Sequence, residues 1–212
     1  MYVQYGCSYS SAPEGWANFD ASPTLYFERI PIIGRLYTKN AVRFPPNVQF
    51  GDIVRGLPIA PGTVDGLYAS HVLEHLSLND CRLALKNSFA MLKPGKVFRL
   101  IVPDLKSRAE KYLASPAPDA ASQFMNSTML GHQTRPKGFL ARLMAIYGNS
   151  QHLWMYDEPL LSRELAAVGF VSIRRCTYGD NPDPMFGRVE EVGRFVDGDI
   201  VELAMECKKP SS

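Results

Sequence analysis

The densest chemistry in the chain lies in Ser70-His71-Val72-Leu73-Glu74-His75, where two imidazoles and a carboxylate fall within five positions. On a helix, His71 and His75 share one face, because positions four apart are neighbours there. Such a pair with a carboxylate suits metal binding or proton transfer. A zinc site of this pattern would need a further ligand from a distant part of the chain. Two other groups could move protons. Asp104 closes the run Val102-Pro103-Asp104. His152 sits among aromatics in Gly148-Asn149-Ser150-Gln151-His152-Leu153-Trp154-Met155-Tyr156. Histidine titrates near neutral pH and can take a proton from a hydroxyl. A Gly-x-Ser-x-Gly elbow and a Gly-Lys-Ser/Thr loop are both absent, which removes the main signals of serine hydrolases and P-loop hydrolases.

The elements that must hold these groups are legible around them. Asp65 to Ala69 is short, mostly apolar and bounded by turn residues, as a buried strand is. Ser70 and His71 end it. A helix follows, with Leu78, Cys81, Leu85, Phe89 and Leu92 on one stripe. Leu92-Lys93-Pro94-Gly95 predicts a type II turn, with Gly95 at the position of positive φ. Lys96 to Val102 is the next strand, stopped by Pro103-Asp104. Strand, crossover helix and strand make a right-handed unit of a parallel sheet. Ligands of such sheets bind beyond the carboxyl ends of the strands, where Ser70, His71 and Asp104 are placed.

Tyr-Ala-Ser-His-Val-Leu-Glu-His-Leu, followed by Met-Leu-Lys-Pro-Gly-Lys-Val-Phe-Arg-Leu-Ile-Val-Pro-Asp-Leu, resembles the core of the class I S-adenosylmethionine (SAM) dependent methyltransferases, nearest the type-11 group. The resemblance implies an α/β fold: a Rossmann-like, doubly wound, seven-stranded sheet, mostly parallel, with an antiparallel C-terminal hairpin. It implies SAM as cofactor and places its binding residues. Gly6-Cys7-Ser8 stands where the family has Gly-Cys-Gly, a turn that cradles the methionine end. Asp20, followed by Ala21, ends Pro13-Glu14-Gly15-Trp16-Ala17-Asn18-Phe19-Asp20 and corresponds to the acid that binds the ribose hydroxyls. Gly51-Asp52-Ile53 corresponds to the adenine contacts, and Ser70-His71 completes the set. The plainer reading of Asp20 and Asp52 is as turn or helix caps. The resemblance accounts for His71, Glu74 and His75 without a metal, so no metal is expected.

Taken in order, the chain begins with a strand from Tyr2 to Tyr5. Only a short helical turn within Ser10 to Glu14 fits before a second strand, Trp16 to Asp20. Tyr26 to Tyr37 predicts two short helical pieces, and Asn47 to Phe50 a third strand. After Asp104, Leu105 to Leu113 is a helix whose apolar side is Ala109, Tyr112 and Leu113. Two further helices, over 119–131 and 137–147, belong to a helical cap insertion at about 115–150 within a single domain spanning 1–212. Glu158 to Gly169 is a glycine-terminated helix. Phe170 to Thr177 and Ile200 to Cys207 are the last strands, around a Pro/Gly-rich excursion, and Lys208 to Ser212 is a frayed tail.

Net charge is +2 over 212 residues, too little for a strong pull toward nucleic acid or an anionic membrane. No apolar run reaches the length of a membrane span and no export signal is evident, so the expected location is cytoplasmic. Cys7, Cys81, Cys176 and Cys207 are scattered without a CxxC pair and read as free buried thiols. The expected activity is methyl transfer to a small-molecule or sugar acceptor. The alternative is a catalytically degenerate binding or regulatory module of the same fold. His152, with Trp154 and Tyr156, is expected to face the methyl group; His71 and Asp104 are the competing bases.

Overall fold

A computed structural model describes residues 1–9, 13–31, 43–131, 133–134 and 151–211. Strands β1 (Tyr2–Tyr5), β2 (Trp16–Asp20), β3 (Val48–Phe50), β4 (Val64–Ser70) and β5 (Leu92–Val102) are mutually parallel. Later come β6 (Val171–Arg175), a two-residue pair β7 (Val196–Asp197) and β8 (Ile200–Val201), and β9 (Leu203–Lys208). The main sheet has seven strands in the order β3-β2-β1-β4-β5-β9-β6. β9 runs antiparallel to both β5 and β6. The strand order reverses between β1 and β4, so the crevice of this doubly wound sheet opens beyond Tyr5 and Ser70.

Five helices are described: α1 (Pro23–Arg29), α2 (Leu78–Met91), α3 (Leu105–Ala114), α4 (Ala120–Thr128) and α5 (Glu158–Val168). The crossover α2 starts where Ser77 caps the Asp80 amide and buries Cys81, Ala84, Leu85, Ser88 and Met91. Its stripe packs with Val3, Leu67, Phe98 and Leu100 in the main core. α5 is capped by Asp157 and ended by Gly169 in the left-handed conformation, φ +108°. All four cysteines are free and buried. No helix of the described residues is long and apolar enough to cross a membrane.

Several expectations change. β5 begins at Leu92, not Lys96: the Pro94-Gly95 turn is absorbed as an irregularity, with Gly95 at φ +74° and a register shift between Val64 and Gly66. The tail is not frayed at its start. Lys208 belongs to β9, and the Lys209 ammonium donates to Phe89 O and Leu92 O, both at 2.8 Å, satisfying carbonyls at the end of α2. The apolar side assigned to the helix after Asp104 is wrong. Tyr112 and Leu113 are exposed, whereas Arg108 is buried. Its guanidinium makes a two-pronged bond to Glu202, at 2.7 and 2.8 Å, and reaches Ser127 O in α4 at 3.1 Å. The last strand does not run unbroken from Ile200. β8 pairs with β7, and β9 starts at Leu203 after Glu202 has turned to Arg108. β9 does not alternate either: its first five residues are all buried, because it lies between two strands with both faces covered. Of the stretch expected to form a cap insertion, α4 is described. The helix expected over 137–147, the turn at Ser10, the piece beyond Pro31, and Gly148 to Ser150 lie outside the described residues.

Candidate cofactor crevice and imidazole cluster

At the end of β1, Gly6 turns the chain at φ +70°. A Cβ there would stand 2.1 Å from Val72 Cγ2, so only glycine fits under the segment that follows β4. Gly6 donates to Phe19 O at 2.8 Å, which ties the turn to β2. Ser8 occupies the place of the family's second glycine, and it adopts φ +53°, a glycine-like conformation. Its amide donates to Asp20 Oδ2 at 2.9 Å, and the Ser22 amide to Asp20 Oδ1 at 2.7 Å. Asp20 is therefore a buried brace between the β1 turn and the entry to α1, with Ala21 half-buried between these bonds. Burial holds its carboxyl above the ordinary range, against the two amide bonds. Cys7 is buried with Leu25, Phe44 and Val48, and its thiol is pushed up to about 12, chiefly by burial.

At the end of β3, Gly51 donates to Asp20 O at 3.1 Å and packs so closely on Phe19 and Leu57 that a Cβ would meet them at 2.7 and 2.8 Å. Asp52 accepts from the Val54 amide at 2.9 Å, and Ile53 belongs to the main core. The sheet thus aligns Gly6–Ser8, Asp20-Ala21, Gly51–Ile53 and Ser70-His71 at the carboxyl ends of four adjacent strands.

His71 ends β4 at φ +54°, a second non-glycine residue in the left-handed region beside this crevice. Such strain costs on the order of 1–3 kcal/mol and concentrates at functional sites. Both ring nitrogens are engaged, Nε2 with Arg194 O at 3.0 Å and Nδ1 with Glu74 Oε1 at 3.3 Å. Burial lowers its pKa, but the Glu74 carboxylate and the Arg194 carbonyl together raise it above the ordinary imidazole value. Asp104 caps α3. Oδ1 accepts from the Lys106 amide at 3.0 Å; Oδ2 accepts from Ser107 Oγ at 3.0 Å and from Arg175 at 2.6 Å. Each oxygen serves the fold.

The Val-Leu-Glu-His segment is not the start of α2. Leu73–His75 is a separate 3-10 turn. Against it lies the segment after Gln151, where the Leu153 and Trp154 amides donate to Glu74 O at 2.7 and 3.2 Å. This brings His152 to His75, ring centroids 4.9 Å apart and 73° between planes. His152 is buried, its Nδ1 is 2.8 Å from Thr128 O, and burial lowers its pKa. The expected group of His152, Trp154 and Tyr156 does not form. Trp154 is 41% exposed and Tyr156 is fully buried in the core. The partners of His152 are Glu74 and His75, which no local sequence signal linked to it.

No protein-family model matches the chain, and no curated protein matches it. Solved structures do. A chain of the complex between the Haloferax volcanii Trm112 methyltransferase activator and a methyltransferase aligns at TM-score 0.51 and 12% identity, covering 99% of this chain and 81% of that one. A SAM-dependent methyltransferase from Thermotoga maritima aligns at TM-score 0.50 and 14% identity, covering 99% and 82%. PigF with SAH aligns at TM-score 0.50 and 12% identity, over 98% of this chain and 49% of that one. With the strand order above, these likenesses show a Rossmann-like fold that the chain shares with those proteins.

Proposed function

We propose that the protein is a SAM-dependent methyltransferase acting on a small-molecule or sugar acceptor, in the manner of the type-11 group. The observation that carries this reading is the crevice at the strand-order reversal, with a turn that tolerates only glycine at Gly6, holds Ser8 at positive φ and is braced by Asp20. Gly6 to Ser8 would hold the methionine end, Asp20 the ribose, Asp52 and Ile53 the adenine, and Ser70-His71 would complete the pocket. The SAM sulfonium is already a strong electrophile, so the protein chiefly aligns the acceptor and removes a proton where needed. Among the three proton-transfer candidates, His71 and Asp104 are engaged by the fold, and His152 uses Nδ1 for Thr128 O and has no hydrogen bond at Nε2 among the described residues. His152 is therefore the group that activates an acceptor hydroxyl. Four free thiols fit the cytoplasm, where disulfides are rare.

A second reading, a degenerate binding module, is favoured by Asp20, whose two oxygens already accept backbone amides. Calorimetry with SAM separates the two only partly, because a binding module can also hold SAM; turnover on an acceptor decides. Asp20→Ala should weaken SAM binding by about 1.5–3 kcal/mol, the scale of a charge-assisted hydrogen bond. Unchanged affinity would remove Asp20 from the site. Given an acceptor, His152→Ala should keep SAM affinity and lose about two to four orders of magnitude in turnover.

A further inference from the structure

We propose that Glu74, His75 and His152 form a three-ligand site for a divalent transition cation of the zinc class, with a coordination position left open. The site stands on its own residues, whether or not the chain transfers methyl groups. An ion bound there would take His152 Nε2 as a ligand and replace the proton-accepting role given to that atom above. One ligand atom from each of the three residues lies within 4.8 Å of the others. The pair for which a distance fixes the spacing, His75 Nε2 and Glu74 Oε1, is 4.0 Å apart. Bonds of about 2.0–2.2 Å in a tetrahedral zinc site place ligand atoms roughly 3.3–3.5 Å apart. A modest inward turn of the side chains closes the set around an ion.

Two observations point to a ligand independently of that proximity. The first is the tautomers. His75 Nδ1 is 3.0 Å from Gln151 O, and His152 Nδ1 is 2.8 Å from Thr128 O. A carbonyl accepts only, so each Nδ1 carries a proton, and in the neutral ring the lone pair available to an ion is on Nε2. This is the arrangement metal-bound histidines have, with the second ring nitrogen donating to a backbone carbonyl. The second is Glu74. Its side chain is fully buried, and neither oxygen has a hydrogen-bond partner. The groups nearest to them are His71 Nδ1, 3.3 Å from Oε1, and His75 Nε2. A buried carboxylate without hydrogen bonds is costly, and a divalent cation between Glu74 and two bare imidazole nitrogens removes that cost.

Two histidines and one carboxylate suit zinc and its first-row neighbours. Magnesium and calcium favour all-oxygen shells. His75 keeps 22% of its side chain exposed, so the fourth position has a route to solvent. An oxygen ligand there would be polarised by the ion.

The test uses the full chain, stripped with a chelator and dialysed free of it. Zinc chloride is titrated against a chromophoric competitor, and cobalt chloride is added separately to read visible absorption from a low-coordinate site. The expected result is one equivalent bound per chain. Glu74→Gln and His152→Gln should each weaken zinc by more than about 100-fold, since even outer-shell changes cost 10–100-fold. Circular dichroism confirms that each variant is folded; where one is not, the other decides. No stoichiometric uptake, or a folded variant that binds zinc as the parent does, overturns the site and leaves Glu74 as the partner of His71 alone. SAM affinity is measured on the same samples, so loss of the metal site and loss of the cofactor reading are told apart.

Discussion

Two of the buried carboxylate clusters in this fold are satisfied to opposite degrees. Around Arg99 on β5, Glu190 Oε1 accepts at 2.6 Å, Asp180 at 2.7 Å and Glu206 at 2.5 Å, and Thr177 O takes a further bond at 2.9 Å. Glu190 Oε2 accepts from the Gly179 amide, and Glu206 from Arg174 and Asn181. Arg99 also lies over the Phe186 ring. Around Glu74, equally buried, no hydrogen bond reaches either oxygen and three imidazoles stand nearby. The first cluster is complete and fastens the excursion after β6 to the sheet. The second is incomplete and lies beside a crevice at the strand ends.

That contrast can be broken in several ways. The largest effect belongs to Arg99. Arg99→Met should destabilise the chain by about 3–5 kcal/mol, because it strands Glu190 and Glu206 in the interior; denaturant unfolding measures it, and a loss under about 1 kcal/mol would mean the cluster is not needed. Next comes ligand linkage at the other cluster. Zinc at about 100 times its dissociation constant should stabilise the parent by about 2.7 kcal/mol and leave Glu74→Gln unmoved, seen as a thermal shift in one protein only. The third effect is in acid. Burial pushes Asp180 and Glu206 up, but bonds from Arg174, Arg99 and Asn181 hold both below the ordinary carboxylate range. Folded values below unfolded ones give stability that is present above about pH 4.5 and is lost as pH falls through the folded values. Arg174→Gln should flatten that loss in pH-dependent melts; an unchanged slope would assign the acid sensitivity elsewhere. The smallest effect is Glu74→Gln without metal. It should change stability by less than about 1 kcal/mol or raise it, because it removes the 3.3 Å contact with His71 while relieving a buried charge.

Strand and helix placement was legible because local patterns decide it. The parallel strands β1 to β4, α2 with its buried stripe, and the glycine end of α5 all follow from apolar periodicity and turn residues close in sequence. The turn at Gly6 and the acid at Asp20 were legible as a pattern, although the brace from Asp20 to Ser8 was not. The errors share one cause. Tyr112 and Leu113 looked like an apolar face, but the helix packs through Arg108, whose partner Glu202 lies far along the chain. Ile200 to Cys207 looked like an alternating strand, but Glu202 and Glu206 point to buried arginines instead of solvent.

The same division governs the site. The family resemblance implied the seven-stranded sheet and its crevice. Residue type and spacing were enough to define the strands around α2 and the segment His71 to His75. They were also enough to show that a metal reading lacked a distant ligand. Only tertiary structure decided which histidine that could be. The Leu153 and Trp154 amides clasp Glu74 O and carry His152 onto the 3-10 turn. Tautomer and burial then distinguish the three histidines, because a backbone carbonyl at Nδ1 leaves Nε2 open in His75 and His152, while His71 spends both nitrogens on its neighbours. Contacts of this kind join segments that are remote in sequence, and no local pattern encodes them.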